Sequence, residues 1–219
     1  MRRRTFFASF IVLSIMFAVS GCSKPQTPVA TGGLTADEID NIVQNSYQYV
    51  AMYNVINKNA MYYGSQTDSD GWNQCFADTA LKDHTYQAIA RPNNDTLYAG
   101  CMLDLRAEPV IVEYPAFDST YVSLETSAYD HFVDIPLSTT KGDFEEPTTV
   151  LYHTARTPGY SGETVEGVDM VMEMTGDFVI AFLRAMPHAA EPERMARNLA
   201  AMQAVRCLTL SEYQGLETA

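Results

Sequence analysis

Apolar and polar positions change period several times along the chain. Residues 6–19 are almost unbroken apolar sequence. From Thr35 the spacing turns helical: Ile39, Val43, Tyr47 and Val50 recur at three- and four-residue intervals, with Ile42 and Ser46 beside them. Thr35 and Glu38 precede this run at the spacing of a capping box, in which hydroxyl and carboxylate satisfy each other's backbone N–H groups. The helix is expected to reach about Asn57 or Met61. Its second half is aromatic, with Tyr47, Tyr49, Tyr53, Tyr62 and Tyr63. Such tyrosines either pack under a sheet with their hydroxyls at the rim or wall a pocket. Residues 64–71 have loop composition. Residues 72–76 read as the start of a second short helix, and residues 83–90 fit helix or extended chain equally. Pro92 biases Arg91 away from the helical region.

Beyond that point the period shortens to two. Residues 96–105 form an extended run. Pro109 and Pro115 bound a second one, and residues 119–126 alternate so that Tyr121 faces away from Val122 and Leu124. Residues 148–155, 168–174 and 177–186 continue the strands, the last reading as central because it is so apolar. Glu191-Pro192 opens a helix with proline near its favoured first position. Met195, Leu199, Met202 and Val205 mark its face, and it is expected to run through about Leu208. Helices at both chain ends with strands between predict an α+β fold. The expected form is an N-terminal helix and an irregular helical link packed on a mostly antiparallel β-sandwich-like sheet, followed by a C-terminal helix.

Composition supports a folded body. Of 219 residues, 47% are hydrophobic and 19% charged, which excludes a disordered acidic chain. The net charge of −13 argues against sequence-independent nucleic-acid binding, which needs clustered cations. It also disfavours adhesion to anionic lipid by charge alone. Solubility is the plain reading of that excess, and a cationic ligand the sharper one.

The N-terminus sets the expected location. Arg2, Arg3 and Arg4 precede the apolar run, which is short for a spanning helix and ends in Val19-Ser20-Gly21-Cys22. This resembles a bacterial lipobox. By that resemblance residues 1–21 are a lipoprotein signal peptide, and Cys22 becomes the acylated first residue. Residues 22–34 are then a flexible tether with two prolines and two glycines, and residues 35–219 form one globular domain. Removal of the signal takes the 14 basic residues to 11 and leaves the 27 acidic ones, a net charge of −16. Acyl chains such as palmitate contribute roughly 0.8 kcal/mol per buried CH₂, so more than one gives stable anchoring. Ser23 after the cysteine resembles the signal for release to the outer membrane. The expected place is the inner leaflet of that membrane, facing the periplasm.

Polar chemistry concentrates in Arg91-Pro92-Asn93-Asn94-Asp95-Thr96-Leu97-Tyr98. Asx side chains bond nearby backbone amides and suit a turn. One reading is a polar staple at the helix-to-sheet junction, with Arg91 paired to Asp95 or Asp104. The other places Arg91, Asn94, Asp95 and Tyr98 at the mouth of a ligand pocket, where Arg91 binds a carboxylate.

RPNNDTLYAGCMLDL followed by EPVIVEYPAFDSTYVSLE resembles the bacterial domain-of-unknown-function family 1254. The resemblance runs from about Ala36 to Leu216. It implies a helical N-terminal part against a β-sandwich-like body, and no established reaction. Many relatives carry a second, C-terminal domain, which this chain is expected to lack. Residues 126–136 depart from the relatives' pattern at Asp130, His131, Asp134 and Pro136, which bears on any active surface there.

Other motifs exclude more than they suggest. The histidines, His84, His131, His153 and His188, make no His-x-His or His-Glu-x-x-His, and no Cys-x-x-Cys occurs, so neither metal nor cofactor is expected. Gly159-Tyr160-Ser161-Gly162 lacks the nucleophile-elbow spacing. Cys75, Cys101 and Cys207 allow one disulfide and one free thiol, or buried free thiols. If a bond forms, Cys101's place in a buried strand favours Cys75 with Cys207. The expected function is an envelope-anchored lipoprotein that binds a small molecule or partner. The alternative is a periplasmic hydrolase or isomerase, with Asp95 or Glu125 as acid/base, Arg91 binding substrate charge and Tyr98 as donor.

Overall fold

The computed structural model describes residues 32–64, 71–86 and 93–216. Residues 1–31, with Cys22 and the expected signal peptide, and Arg91 therefore lie outside the described residues. The chain divides into two units, residues 1–41 and 42–219. In the first, the Thr35 N–H donates to Glu38 Oε2 at 2.8 Å and the Glu38 N–H to Thr35 Oγ1 at 3.3 Å. The capping box thus forms where expected, at the start of α1 (Ala36–Gly64).

The second unit is a mixed α+β body with two sheets. One has five antiparallel strands in the order β1 (Gln74–Ala77), β2 (Leu97–Asp104), β8 (Phe178–Ala185), β4 (Val122–Ser127), β5 (Val133–Ser138). The other has the order β7 (Met170–Glu173), β6 (Thr148–His153), β3 (Val110–Tyr114), β9 (Arg206–Thr209), with β7 parallel to β6 and the remaining pairs antiparallel. The predicted central strand is central: β8 lies between β2 and β4. It alternates strictly, sending Val179, Ala181, Leu183 and Ala185 into the core and Phe178, Ile180, Phe182 and Arg184 to the other face.

Buried side chains from both sheets form one cluster. Leu97, Ala99, Cys101 and Leu103 of β2 join Val110, Val112 and Tyr114 of β3 and Val150 and Tyr152 of β6. The Tyr114 and Tyr152 hydroxyls meet inside it at 2.9 Å. Two smaller clusters cover the outer faces. Ile56 and Ala60 of α1 pack with Met102 and Tyr129, joined by Trp72, Phe178 and Ile180. Tyr160 packs on Ile111 and Leu151, joined by Leu210 and Tyr213 of α3 (Leu210–Tyr213).

Three expectations are corrected. Residues 72–76 are not a helix: Trp72 and Asn73 are a turn, and Gln74, Cys75 and Phe76 belong to β1, whose pairing with β2 satisfies their backbone. The C-terminal helix, α2 (Pro192–Gln203), stops short of Leu208. Arg206–Thr209 pairs with the edge of β3 instead, and Arg206 bonds Glu113 across that pair. The disulfide joins Cys75 to Cys101, not to Cys207: β1 and β2 place the two directly opposite, with Cα atoms 4.3 Å apart, a separation that suits a disulfide. Cys207 on β9 keeps a free thiol, and burial pushes its pKa well up.

Gly100 has a steric reason in this sheet. A Cβ there would meet Phe76 at 2.5 Å and Phe182 at 2.9 Å, since both rings lie over the bare backbone. Gly100→Ala is expected to destabilise the fold by about 1–3 kcal/mol through overpacking. Urea unfolding would check this: an unchanged midpoint would mean the rings can turn aside freely.

Candidate functional site

The signature stretch forms the expected turn into β2. Asn93 Oδ1 accepts the Asp95 N–H at 2.7 Å, an Asx turn, and Asn94 and Asp95 are exposed. Tyr98 is half-buried, and its N–H donates to Asp78 Oδ2 at 3.2 Å. Asp78 also pairs with Lys82. The Tyr98 ring packs against Phe182 at 5.1 Å between centroids. In register beside Tyr98 on β8 stands Arg184, whose guanidinium lies 5.9 Å from the ring centre and binds Glu125 Oε2 at 3.1 Å. Two residues singled out in the sequence, Tyr98 and Glu125, are thus joined through Arg184. Sequence reasoning passed over Arg184 because it sits in an apolar run; its outward parity on a central strand was the available signal. The Glu125 carboxylate is matched by the Arg184 cation, while the buried Arg184 Nε has no partner among the described residues.

A different place is concave. At the opposite end of β8, α1 and three loops enclose a cleft of about 470 Å³. It lies about 20 Å from Tyr98 along β2, taking six residues at ~3.4 Å each. Tyr49 and Tyr53, one helical turn apart on α1, form one wall, while Tyr129 and Phe178 form the floor. Tyr129 stacks on Phe178 at 5.4 Å and receives the edges of Tyr53 and Tyr49 at 5.0 and 5.6 Å. Of the five helix tyrosines named from the sequence, these two line the cleft; Tyr47 and Tyr62 are exposed elsewhere on α1.

The polar part of the cleft comes from the loops. Asp177 Oδ1 accepts from Arg156 Nη2 at 2.8 Å, from Arg156 Nε at 3.0 Å and from the Thr154 hydroxyl at 3.1 Å. The hydrogen bond to Asp177 raises the Arg156 pKa further. Asp130 caps the neighbouring turn by accepting the Phe132 N–H at 3.0 Å. In that turn His131 has φ 63° and bonds the Gln48 carbonyl at 2.8 Å through Nε2, tying the turn to α1. Asn, Asp and His enter the left-handed region more readily than most residues.

One atom here lacks what burial demands. Tyr129 is only 4% exposed, and its hydroxyl has no partner among the described residues. Desolvation holds its pKa far above the ordinary tyrosine value. Arg106, doubly bonded to Asp104 at 2.7 and 2.9 Å, lies over the other side of Phe178 at 4.5 Å and closes the floor. Among the described residues no group of three or more His, Cys, Asp or Glu is placed to hold a metal ion. Nor is any helix among them long and apolar enough to cross a membrane.

The model of a family described as "Protein of unknown function (DUF1254)" matches residues 72–208. The chain belongs to the DUF1254 family. The DUF1254 match takes in both sheets, α2 and the loop side of the cleft, and leaves out Tyr49 and Tyr53 on α1. Among curated proteins, none matches the chain in sequence. Among solved structures, the VPA0106 protein from Vibrio parahaemolyticus is similar, at 24% identity and a TM-score of 0.59 over 82% of this chain. The chain spans 40% of that protein's length. An uncharacterized protein from Burkholderia cenocepacia is 15% identical with a TM-score of 0.35, over 78% of this chain and 50% of that one.

Proposed function

We propose that this DUF1254 protein is an envelope-anchored lipoprotein whose domain binds a small molecule in the Tyr49–Tyr53–Tyr129 cleft. The single observation that carries the binding reading is the unpartnered Tyr129 hydroxyl, buried between aromatic walls beside the Arg156–Asp177 pair. An apolar concavity with a few converging polar groups is the usual form of a small-molecule site, and about 470 Å³ lies within the common range of about 300–1,000 Å³. The alternative site at Arg91, Asn94, Asp95 and Tyr98 has its described members on an exposed turn and a packed strand face, which favours the cleft.

A small-molecule library screened by thermal shift on the full chain tests this. Compounds that stabilise the protein are expected to lose their effect in Arg156→Ala and Tyr129→Phe, and to keep it in Asp95→Asn and Arg91→Ala. Loss only in the latter two would move the site to the signature turn.

The anchor rests on the lipobox-like Val19-Ser20-Gly21-Cys22. The Cys22→Ala protein is expected to lose acyl labelling and to fractionate with soluble periplasmic proteins. Unchanged membrane attachment contradicts the anchor.

A further inference from the structure

We infer that the ligand of the cleft is an uncharged sugar ring, held by stacking on the tyrosines and by hydroxyl contacts to Tyr129 and the Arg156–Asp177 pair. The inference rests on the cleft being the binding site. Its first support is the charge state of the polar groups. Arg156 reaches Asp177 through both Nε and Nη2, so its charge is already matched. An anionic ligand would have to compete with Asp177 for it. What the pair offers instead is a donor and an acceptor side by side, since guanidinium N–H groups and carboxylate lone pairs exceed the bonds formed between them. Adjacent sugar hydroxyls, each both donor and acceptor, match that pattern.

The second support is Tyr129. Among the described residues its buried hydroxyl has no partner, so it is placed to donate to a ligand oxygen. A quaternary ammonium would suit aromatic faces but has no acceptor to offer, and would leave this hydroxyl as it stands. The third is the wall itself. Tyr49 and Tyr53 are 55% and 39% exposed although they rim a concave site, so their apolar faces meet water that the flat C–H face of a pyranose would displace. Aromatic side chains with a polar tip serve surfaces that are apolar at one end and wet at the other.

The chain has one tryptophan, and it reports on this place: Trp72 packs on Phe178 with ring centroids 4.9 Å apart. The full chain, in a detergent without a sugar headgroup, is titrated with glucose, galactose, N-acetylglucosamine and N,N′-diacetylchitobiose, and separately with glucuronate and choline, while Trp72 fluorescence is followed. At least one neutral sugar is expected to give a saturable change. Tyr129→Phe, which removes an unpartnered group and should fold normally, is expected to weaken it roughly tenfold, as is Arg156→Gln. Saturation by choline or glucuronate alone, with the same sensitivity to both variants, overturns the sugar assignment and leaves the cleft as a binding site. Sugar binding indifferent to both variants overturns the sugar assignment for this cleft. Silence of all six probes overturns the inference too; the cleft itself fails only if the library screen above also finds no compound sensitive to Tyr129 and Arg156.

Discussion

Replacing Cys75 and Cys101 together by alanine is expected to cost about 3.5 kcal/mol of stability. The bond closes a loop of 26 residues, and chain-entropy arguments give about 3 kcal/mol for 15 residues and about 4.7 for 100. The effect should be visible because β1 is a short edge strand of four residues whose sheet pairing is with β2 alone. Without the covalent link, that pairing and the contacts of Trp72 and Phe76 must hold it in place. Urea unfolding of the double variant beside the native protein measures the loss. Cys207→Ala separates the pairing from a general thiol effect: it should leave the disulfide intact, with Cys75 and Cys101 inert to a thiol alkylator until the unfolded protein is reduced. Loss of the crosslink in Cys207→Ala, or a double variant within about 1 kcal/mol of native, would contradict this account.

The second large effect lies in the core between the sheets. Tyr114 and Tyr152 are 2% and 0% exposed, and among the described residues their hydroxyls bond each other. Tyr114→Phe strands the Tyr152 hydroxyl in apolar surroundings, and Tyr152→Phe does the reverse. Each single change is expected to cost about 1–3 kcal/mol, the penalty of an unsatisfied buried polar group. The double Phe variant should be closer to native than either, which a double-mutant cycle reads as coupling. The pair also sets a pH dependence. Burial is the chief cause that raises both phenol pKa values far above the ordinary 10. The neutral forms are therefore favoured in the folded state, while the unfolded chain ionises near pH 10. Their contribution is complete below pH 10 and is lost as pH climbs towards the folded values, by up to about 1.4 kcal/mol per pH unit for each group. Stability of the native protein should fall more steeply above pH 10 than that of the double Phe variant. Parallel curves would mean that the hydroxyls are not buried as described.

Patterns that are local in sequence were legible. The Thr35–Glu38 box, the proline-bounded β3, the Asx turn at Asn93 and the apolar run that forms β8 each follow from neighbours within a few residues. What escaped depends on pairing across long separations. Gln74–Ala77 is too short for its period to declare a strand, and only β2 makes it one. Arg206–Thr209 continues a helical apolar face in sequence, yet the free edge of β3 takes it. The cysteine pairing follows from the first of these and was missed with it. The cleft is the extreme case. Tyr49 and Tyr53 were noted as a wall, but Tyr129, Arg156 and Asp177 reach it from three separate loops. No spacing rule links them, and Tyr129 stands just before a turn in which His131 takes a left-handed conformation.

The central claim is that the cleft, rather than the signature turn, receives the ligand. Tyrosine-ring resonances of the full chain, followed while the strongest stabilising compound is added, test it most directly. Tyr49, Tyr53 and Tyr129 are expected to shift together with a single saturation curve, while the core pair Tyr114 and Tyr152 and the strand residue Tyr98 stay still. A shift at Tyr98 with Tyr49, Tyr53 and Tyr129 unmoved would contradict it.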